Sequence, residues 1–359
     1  MNTNQKIEKV KEILNNKKIA LAFSGGADST LIAHLAKEAG ADVLGITYDN
    51  KILPSEFLLF AKRRAEEIGI KHEIVEGNFL DIDEFVHNSP KRCLLCRKLM
   101  YGAIKEKAQK EGYEIIVDGN NITDLTHDRP GILMKYEYNI ESPFIEAELE
   151  TYEIHDYIER NNIEYSKSTT CLATRIQTNE KLTIEKINRL DYCEDYIKTI
   201  TGSDIVKLRE ANNVATIEID NLENILDKGK IDLIVKDLKA AQYDKVLLNI
   251  GLETGIDYLV KDENMDIGEE NYTFRRSLPF GININASSRE FEKFIEENKE
   301  EAIISNLETL EEIGYLKFMI YGKKAKVFRD GKIVIENNKD KLEAKEAFVK
   351  ILPLIRRIA

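Results

Sequence analysis

Lys18-Ile-Ala-Leu-Ala-Phe-Ser-Gly-Gly-Ala-Asp-Ser-Thr-Leu-Ile-Ala-His-Leu-Ala36 decides the fold of the first part of the chain. Six apolar-rich residues, Lys18–Phe23, read as a buried strand. Residues Ser29–Ala39 read as a helix with Leu31, Ile32, Leu35 and Ala36 on one face. Between them lies Ser24-Gly25-Gly26-Ala27-Asp28-Ser29. Gly25 and Gly26 let the backbone approach an anion closely, and the following helix aims its N–H groups and positive end at it. Ser24 and Ser29 add hydroxyl donors, and Asp28 supplies a carboxylate for Mg²⁺. A Walker A loop needs a Lys after its last Gly, and none stands here. The plainer reading is a tight strand-to-helix turn with Ser or Asp as a cap.

Outward from this loop, strands and helices alternate. Val43–Tyr48 reads as a strand, and Pro54 opens a helix to Ile68 that Gly69 stops. Lys71–Val75 is a third strand, Arg97–Gly112 a helix, and Glu114–Asp118 a fourth strand. This order predicts an α/β fold with a doubly wound parallel sheet, whose ligands bind beyond the carboxyl ends of the strands. After about residue 165 the pattern changes. A helix over Lys181–Ile200 precedes alternating runs at Ile205–Arg209 and Ala215–Ile219. Helices near Leu222–Lys228 and Ile231–Ala241 follow, then Val246–Ile250. From about 260 onward the reading is a helix at Ser288–Lys299, a hairpin-like Phe318–Glu336 with Asp330-Gly331 at its turn, and a last helix. The expected organisation is a parallel-sheet domain at 1–165 and two smaller α+β domains at 166–258 and 259–359.

Composition narrows the function. The 359 residues are 43% hydrophobic and 32% charged, ordinary for a core-forming protein. A formal net charge of −12 makes nucleic acid an unlikely partner, because neutralising phosphates needs a basic surface. No apolar run approaches the ~18 residues of a membrane span, so no membrane partner is expected. The start of the chain lacks a signal-peptide stretch, which predicts a cytoplasmic protein.

Four cysteines in such a chain do not read as a disulfide framework. Cys93 and Cys96 form a Cys-Leu-Leu-Cys pair just before the predicted helix, flanked by Arg92, Arg97 and Lys98. Cys171 follows in Thr-Thr-Cys-Leu-Ala-Thr-Arg. The pair plus a distant third thiolate make a three-ligand set, and an open fourth position suits a [4Fe-4S] cluster. The basic neighbours are expected to lower the thiol pKa values. A dithiol redox pair and half of a zinc site stay open, although structural zinc usually wants four protein ligands. Cys193, inside a predicted helix, reads as a small core residue.

Ser24–Ser29 resembles the PP-loop signature of ATP pyrophosphatases, which cleave ATP to AMP and pyrophosphate. Further pieces resemble the LarE family of ATP-dependent sulfur transferases: Asn88-Ser-Pro-Lys-Arg-Cys-Leu-Leu-Cys-Arg, Asp118-Gly-Asn-Asn-Ile-Thr-Asp-Leu, Asp128-Arg-Pro-Gly, Ser142-Pro-Phe-Ile-Glu-Ala and Cys171-Leu-Ala-Thr-Arg-Ile. The likeness spans about residues 5–260. It implies adenylation of a carboxylate on a pyridinium dicarboxylate mononucleotide, then exchange of oxygen for sulfur on the way to a nickel-pincer nucleotide. Some members give up the sulfur of the cysteine matching Cys171, whereas those with the extra CxxC pair hold a [4Fe-4S] cluster. This chain is similar to the latter.

The resemblance further implies ATP and Mg²⁺ as cofactors, with Ser24, Gly25, Gly26, Asp28, Ser29 and Gly119 around the ATP. Asp124, Asp128, Arg129, Arg175, Glu194, Lys207, Arg209 and Glu218 become candidates for the substrate pocket, with Lys207 and Arg209 on its phosphate. It also implies a sulfide source and a homo-oligomer. Lys207 stands where the family often has Arg, Thr174 where it often has Ser, and Leu94-Leu95 where aromatics are usual. A tRNA-thiolating enzyme, an amide synthetase and a non-catalytic sulfide carrier are the competing readings.

Overall fold

The computed structural model describes residues 1–127, 129–167, 170–251, 258–261 and 272–358. Contacts divide the chain into two compact units. The first comprises 1–119, 134–143 and 152–253; the second comprises 120–133, 144–151 and 254–359.

The first unit begins with α1 (Thr3–Leu14), β1 (Lys18–Ala22), α2 (Ala27–Glu38), β2 (Asp42–Asp49), α3 (Phe57–Ile68) and β3 (Lys71–Glu76). Next come the short α4 (Asp83–Val86), the long α5 (Arg92–Lys110) and β4 (Ile115–Val117). The strands form a parallel sheet in the order β3-β2-β1-β4. Ile19, Ala20 and Leu21 of β1 are fully buried at its centre, as expected for a strand covered on both faces. Gly69 closes α3 at φ +74°, a left-handed cap that Gly adopts without steric cost.

Helix α5 starts at Arg92, not at Arg97, which places the CxxC pair inside its first turns. Leu95 extends the apolar face that includes Leu99 back by a turn and packs on the same core, so the helix continues back through the cysteines.

Helices α6 (Ile122–Thr126), α7 (Leu133–Tyr138), α8 (Pro143–Glu146) and α9 (Thr151–Arg160) follow. The rest of the first unit is α10 (Ile184–Thr201), β5 (Val206–Ala211), β6 (Val214–Ile219), α11 (Lys228–Ala240) and β7 (Lys245–Leu248). β5 and β6 pair antiparallel, and β7 joins β6 in parallel. The helix expected at Leu222–Lys228 is a single 3₁₀ turn, Leu222–Asn224. The Asn221 and Asp227 side chains each accept a backbone N–H, which caps two separate starts where one helix was expected.

The second unit carries a six-stranded sheet in the order β10-β11-β12-β13-β9-β8. Its strands are β8 (Tyr258–Lys261), β9 (Tyr272–Ser277), β10 (Ile304–Leu310), β11 (Tyr315–Ile320), β12 (Lys323–Phe328) and β13 (Lys332–Asn338). The pairings among them are antiparallel. The expected hairpin is therefore three strands. Asp330-Gly331 joins β12 to β13, and a second turn at Tyr321-Gly322, both at positive φ, joins β11 to β12. Helices α12 (Ile284–Glu297) and α13 (Lys341–Ile351) share its core with Phe274, Leu316, Phe318, Ile320, Val327, Ile333 and Ile335. Among the described residues no helix is long and apolar enough to cross a membrane.

Candidate active site

The loop after β1 has the local geometry expected of an anion cradle. Gly25 sits at φ +71°, and a Cβ there would lie 3.1 Å from the Ala61 Cα, so both conformation and space call for Gly. Gly26 caps α2, whose first ladder bond runs from Thr30 N to Gly26 O at 2.9 Å. The N–H groups ahead of Thr30 lie outside the helical ladder, at the positive end of the helix. Ser24 N donates to Ser29 Oγ at 3.2 Å, the two hydroxyls are 3.1 Å apart, and Gly26 N donates to Ser24 Oγ at 3.3 Å. The Ser pair thereby fixes the loop and presents hydroxyls at the helix end.

The end of β4 closes against this loop. A Cβ on Gly119 would sit 2.8 Å from Asp28 Cβ and 3.1 Å from Ser29 N, a fit that only Gly allows. Asp118 beside it is buried. Its carboxylate accepts hydrogen bonds from the Tyr101 hydroxyl and from Ser142 Oγ, each at 2.6 Å. Arg97 in turn donates to the Tyr101 hydroxyl at 3.0 Å. Spacing alone did not single out Tyr101; only the partner of Asp118 reveals it.

The three cysteines converge through backbone and side-chain ties between segments far apart in sequence. Asn88 Nδ2 donates to the carbonyls of Ile176 and Gln177 at 3.3 and 2.9 Å, and Leu182 N donates to Val86 O at 2.9 Å. Arg92, held by Asn88 Oδ1, donates to Ala173 O at 3.3 Å. Leu172 N donates to Ile52 O at 2.9 Å. Cys96 and Cys171 pack against one apolar core, with Leu95, Leu99 and Leu172.

Proximity shows in the thiols. Burial, then the charge of Cys171, pushes Cys96 up to about 12, with Arg97 and a hydrogen bond from Asn50 opposing. Burial raises Cys171 as well, against the pull of Arg92. The expectation that basic neighbours lower the thiol pKa is therefore corrected for Cys96. Desolvation of the charged form outweighs one adjacent guanidinium.

Three thiols are a soft donor set suited in chemistry to an iron–sulfur cluster or a thiophilic metal. As their side chains stand, no group of three or more His, Cys, Asp or Glu among the described residues is arranged to hold a metal ion. Cys193 is fully buried in α10, as expected of a core residue.

Of the expected substrate residues, Arg175 and Glu194 are paired with each other. Both are buried, and Arg175 Nε and Nη2 reach the Glu194 oxygens at 2.6 and 3.3 Å. Glu194 also accepts from Leu208 N at 2.8 Å. Arg175 Nη1 donates to both Thr170 and Thr174, one on each side of Cys171. Arg209 donates to Thr174 O at 2.9 Å and to Glu218 at 3.1 Å. Lys207 faces Glu218 in register across β5 and β6. Burial and the neighbouring Arg175 and Arg209 lower the Lys207 pKa.

Asp124 and Arg129 lie in the second unit, where they form an ion pair; Asp124 also accepts from Asn121 N at 3.0 Å. Asp128 falls outside the described residues.

Ser166, the first residue past the expected end of the first domain, was not singled out in the sequence. Its N–H donates to Gly25 O at 2.8 Å, and its own Oγ is buried without a partner. Five residues on, the same segment carries Cys171.

No family model matches the chain. An uncharacterized protein of Methanocaldococcus jannaschii is 31% identical over 243 residues, covering 67% of this chain and 92% of that protein. The pyridinium-3,5-bisthiocarboxylic acid mononucleotide synthase of Lactiplantibacillus plantarum is 25% identical over 207 residues, 56% of this chain and 75% of the synthase. A tRNA-specific 2-thiouridylase of Clostridium acetobutylicum is 31% identical over 131 residues but is covered over only 36% of its length. The last two similarities support an enzyme of the PP-loop ATP pyrophosphatase superfamily.

Proposed function

We propose that this chain, which belongs to the same family as the uncharacterized Methanocaldococcus jannaschii protein, is an ATP-dependent sulfur transferase. It forms AMP and pyrophosphate and acts on the carboxylate of a small nucleotide. The observation that carries this reading is the set of ties made by residues 166–167 and 170–182. The segment is tied to the phosphate loop at Gly25, presents Cys171, and is tied again to the CxxC helix through Asn88 and Arg92.

In the first step a substrate carboxylate oxygen attacks the α-phosphorus of ATP, and pyrophosphate leaves. The N–H groups and serine hydroxyls of Ser24–Ser29 bind the departing phosphates, where preorganised donors stabilise developing charge. Asp28 would hold Mg²⁺, which neutralises charge on the phosphates. In the second step a sulfur nucleophile attacks the acyl carbon. The C–S bond forms and the C–O bond to AMP breaks, leaving a thiocarboxylate. Holding the sulfur beside the acyl-adenylate replaces a bimolecular encounter by a positioned one. Cys93, Cys96 and Cys171 would hold a [4Fe-4S] cluster, which supplies one iron without a protein ligand, open to external sulfur.

Lys207 and Arg209 suit a substrate phosphate. They project from one strand, and burial, then the neighbouring Arg175 and Arg209, already disfavours the charge on Lys207, which an incoming anion would relieve. Arg175 and Glu194 act as the frame beneath Cys171.

The protein purified under anaerobic conditions, mixed with ATP and pyridinium dicarboxylate mononucleotide, is expected to release AMP and pyrophosphate; ADP as product defeats the reading. Replacing Cys93, Cys96 or Cys171 singly by Ala is expected to abolish thiocarboxylate formation and spare adenylation. Loss with Cys171→Ala alone, together with dehydroalanine at 171 in the spent protein, marks that cysteine as the sulfur donor and removes the cluster from the scheme.

A further inference from the structure

The strands of the second unit are charged in a one-sided way. β9, β11, β12 and β13 carry seven Lys or Arg and one acidic residue, Glu336. Residues 272–358 hold seventeen Lys and Arg against fourteen Asp and Glu, a net of +3 within a chain of net −12.

Strand alternation sorts these charges by face. Leu316, Phe318, Ala325, Val327, Ile333 and Ile335 are buried toward α12 and α13. The alternate positions form rows on the opposite face. One row runs Lys317, Lys326, Val334, Arg275 across β11, β12, β13 and β9, each residue registered against the next. The adjacent row pairs Tyr315 with Phe328, their rings 5.3 Å apart, and the Lys332 ammonium lies 5.9 Å from the Phe328 ring.

Like charges directly opposite on neighbouring strands destabilise a sheet, so Lys317 facing Lys326 works against the fold. Each keeps one surface partner, Glu308 at 3.2 Å and Glu336 at 3.3 Å, and such exposed pairs contribute little. Arg275 and Lys332 are exposed at the same face. A local rule broken without gain to the fold points to use by a ligand.

We propose that this open sheet face binds single-stranded nucleic acid, RNA in particular. Phosphates would run along Lys317, Lys326 and Arg275, and unpaired bases would stack on Tyr315 and Phe328. Two aromatics on adjacent strands, beside cations, are the arrangement by which a sheet takes successive bases. The inference does not depend on the sulfur-transfer reading.

The test is fluorescence anisotropy of the full chain with a labelled mixed-sequence RNA of about 15 nucleotides, roughly the span of one such sheet and its flanks. ATP and carboxylate substrate are left out, so failure here leaves the sulfur-transfer reading untouched, and the reverse. Saturable binding is expected that weakens at least about ten-fold between roughly 50 and 200 mM salt. Lys326→Gln with Arg275→Gln is expected to weaken it about five-fold or more and to flatten the salt dependence. Tyr315→Leu is expected to weaken it while keeping the salt slope. No saturable binding, binding unchanged in these variants, a duplex bound as tightly as the strand, or preference for vesicles of anionic phospholipid would each overturn the proposal. Circular dichroism of each variant separates loss of binding from loss of fold.

Discussion

The Ser166 N–H donates to the Gly25 carbonyl at 2.8 Å, joining the segment that carries Cys171 to the glycine at the heart of the phosphate loop. Gly25 makes this tie from the left-handed region, at φ +71°. A side chain at 25 disturbs loop and segment together.

Gly25→Ala places a Cβ in a left-handed conformation, which costs roughly 1–2 kcal/mol, and 3.1 Å from the Ala61 backbone. The expected result is a lower melting temperature together with loss of pyrophosphate release. Wild-type stability and turnover would contradict the described loop.

Gly119→Ala acts on the other side of the same loop. The new Cβ meets Asp28 Cβ at 2.8 Å, so Asp28 or the end of β4 must move. Pyrophosphate release is expected to fall at least about ten-fold, the order a small misplacement of a reacting group can cost. The far-ultraviolet circular dichroism should stay that of the wild type. Isotope exchange between pyrophosphate and ATP measures the effect.

Arg175→Met leaves the Glu194 carboxylate buried with one backbone donor, from Leu208. Breaking a buried ion pair from one side costs about 3–5 kcal/mol, more than replacing both partners by apolar residues. In urea titrations the single variant is expected to be much less stable than Arg175→Met with Glu194→Leu. Equal stability of the two would show that the pair is not buried.

Cys96, pushed up to about 12 chiefly by burial, stays a neutral thiol at pH 8 in metal-free protein. Iodoacetamide is expected to label it about a hundred-fold or more slowly than a free cysteine, because the thiolate is the reactive form. The raised value means the folded state holds this proton more tightly than the unfolded chain does. Its contribution to stability is therefore present below the usual value of 9.0 and lost as pH rises toward about 12. Mass spectrometry of the labelled peptide reads the rate, and rapid labelling would show that Cys96 is not buried as described.

Burial lowers the pKa of His72, whose Nε2 lies 2.8 Å from the Thr47 hydroxyl oxygen. The folded state gives up this proton more readily than the unfolded chain. Stability tied to His72 is thus intact above pH 6.5 and lost as pH falls below it. The urea midpoint is expected to drop from pH 7.5 to pH 5.5 in the wild type, by less in His72→Gln, and equal drops would discount the residue.

The sequence by itself determined the local chemistry. Six consecutive residues, Ser24–Ser29, determine a tight strand-to-helix loop, because glycine freedom and helix polarity are properties of neighbouring residues. The alternation of strands and helices likewise gave the parallel sheet, although α1, α4 and α6 to α9 were not read from the sequence. The start of α5 was misjudged because Leu95 counts as helical only once the core it packs against is known.

Tertiary structure decided what depends on residues far apart in the chain. Arg175 and Glu194, read from sequence as pocket residues, neutralise each other because folding brings the Leu172–Arg175 turn and helix α10 together out of water. Cys96, flanked by cations in sequence, and Cys171 are raised because burial penalises a thiolate more than a nearby guanidinium favours it. The gathering of Cys171 with the CxxC pair rests on Asn88 and Arg92 reaching segments more than eighty residues away. Spacing along the chain carries no record of such distances, since burial and pairing are set by the fold as a whole.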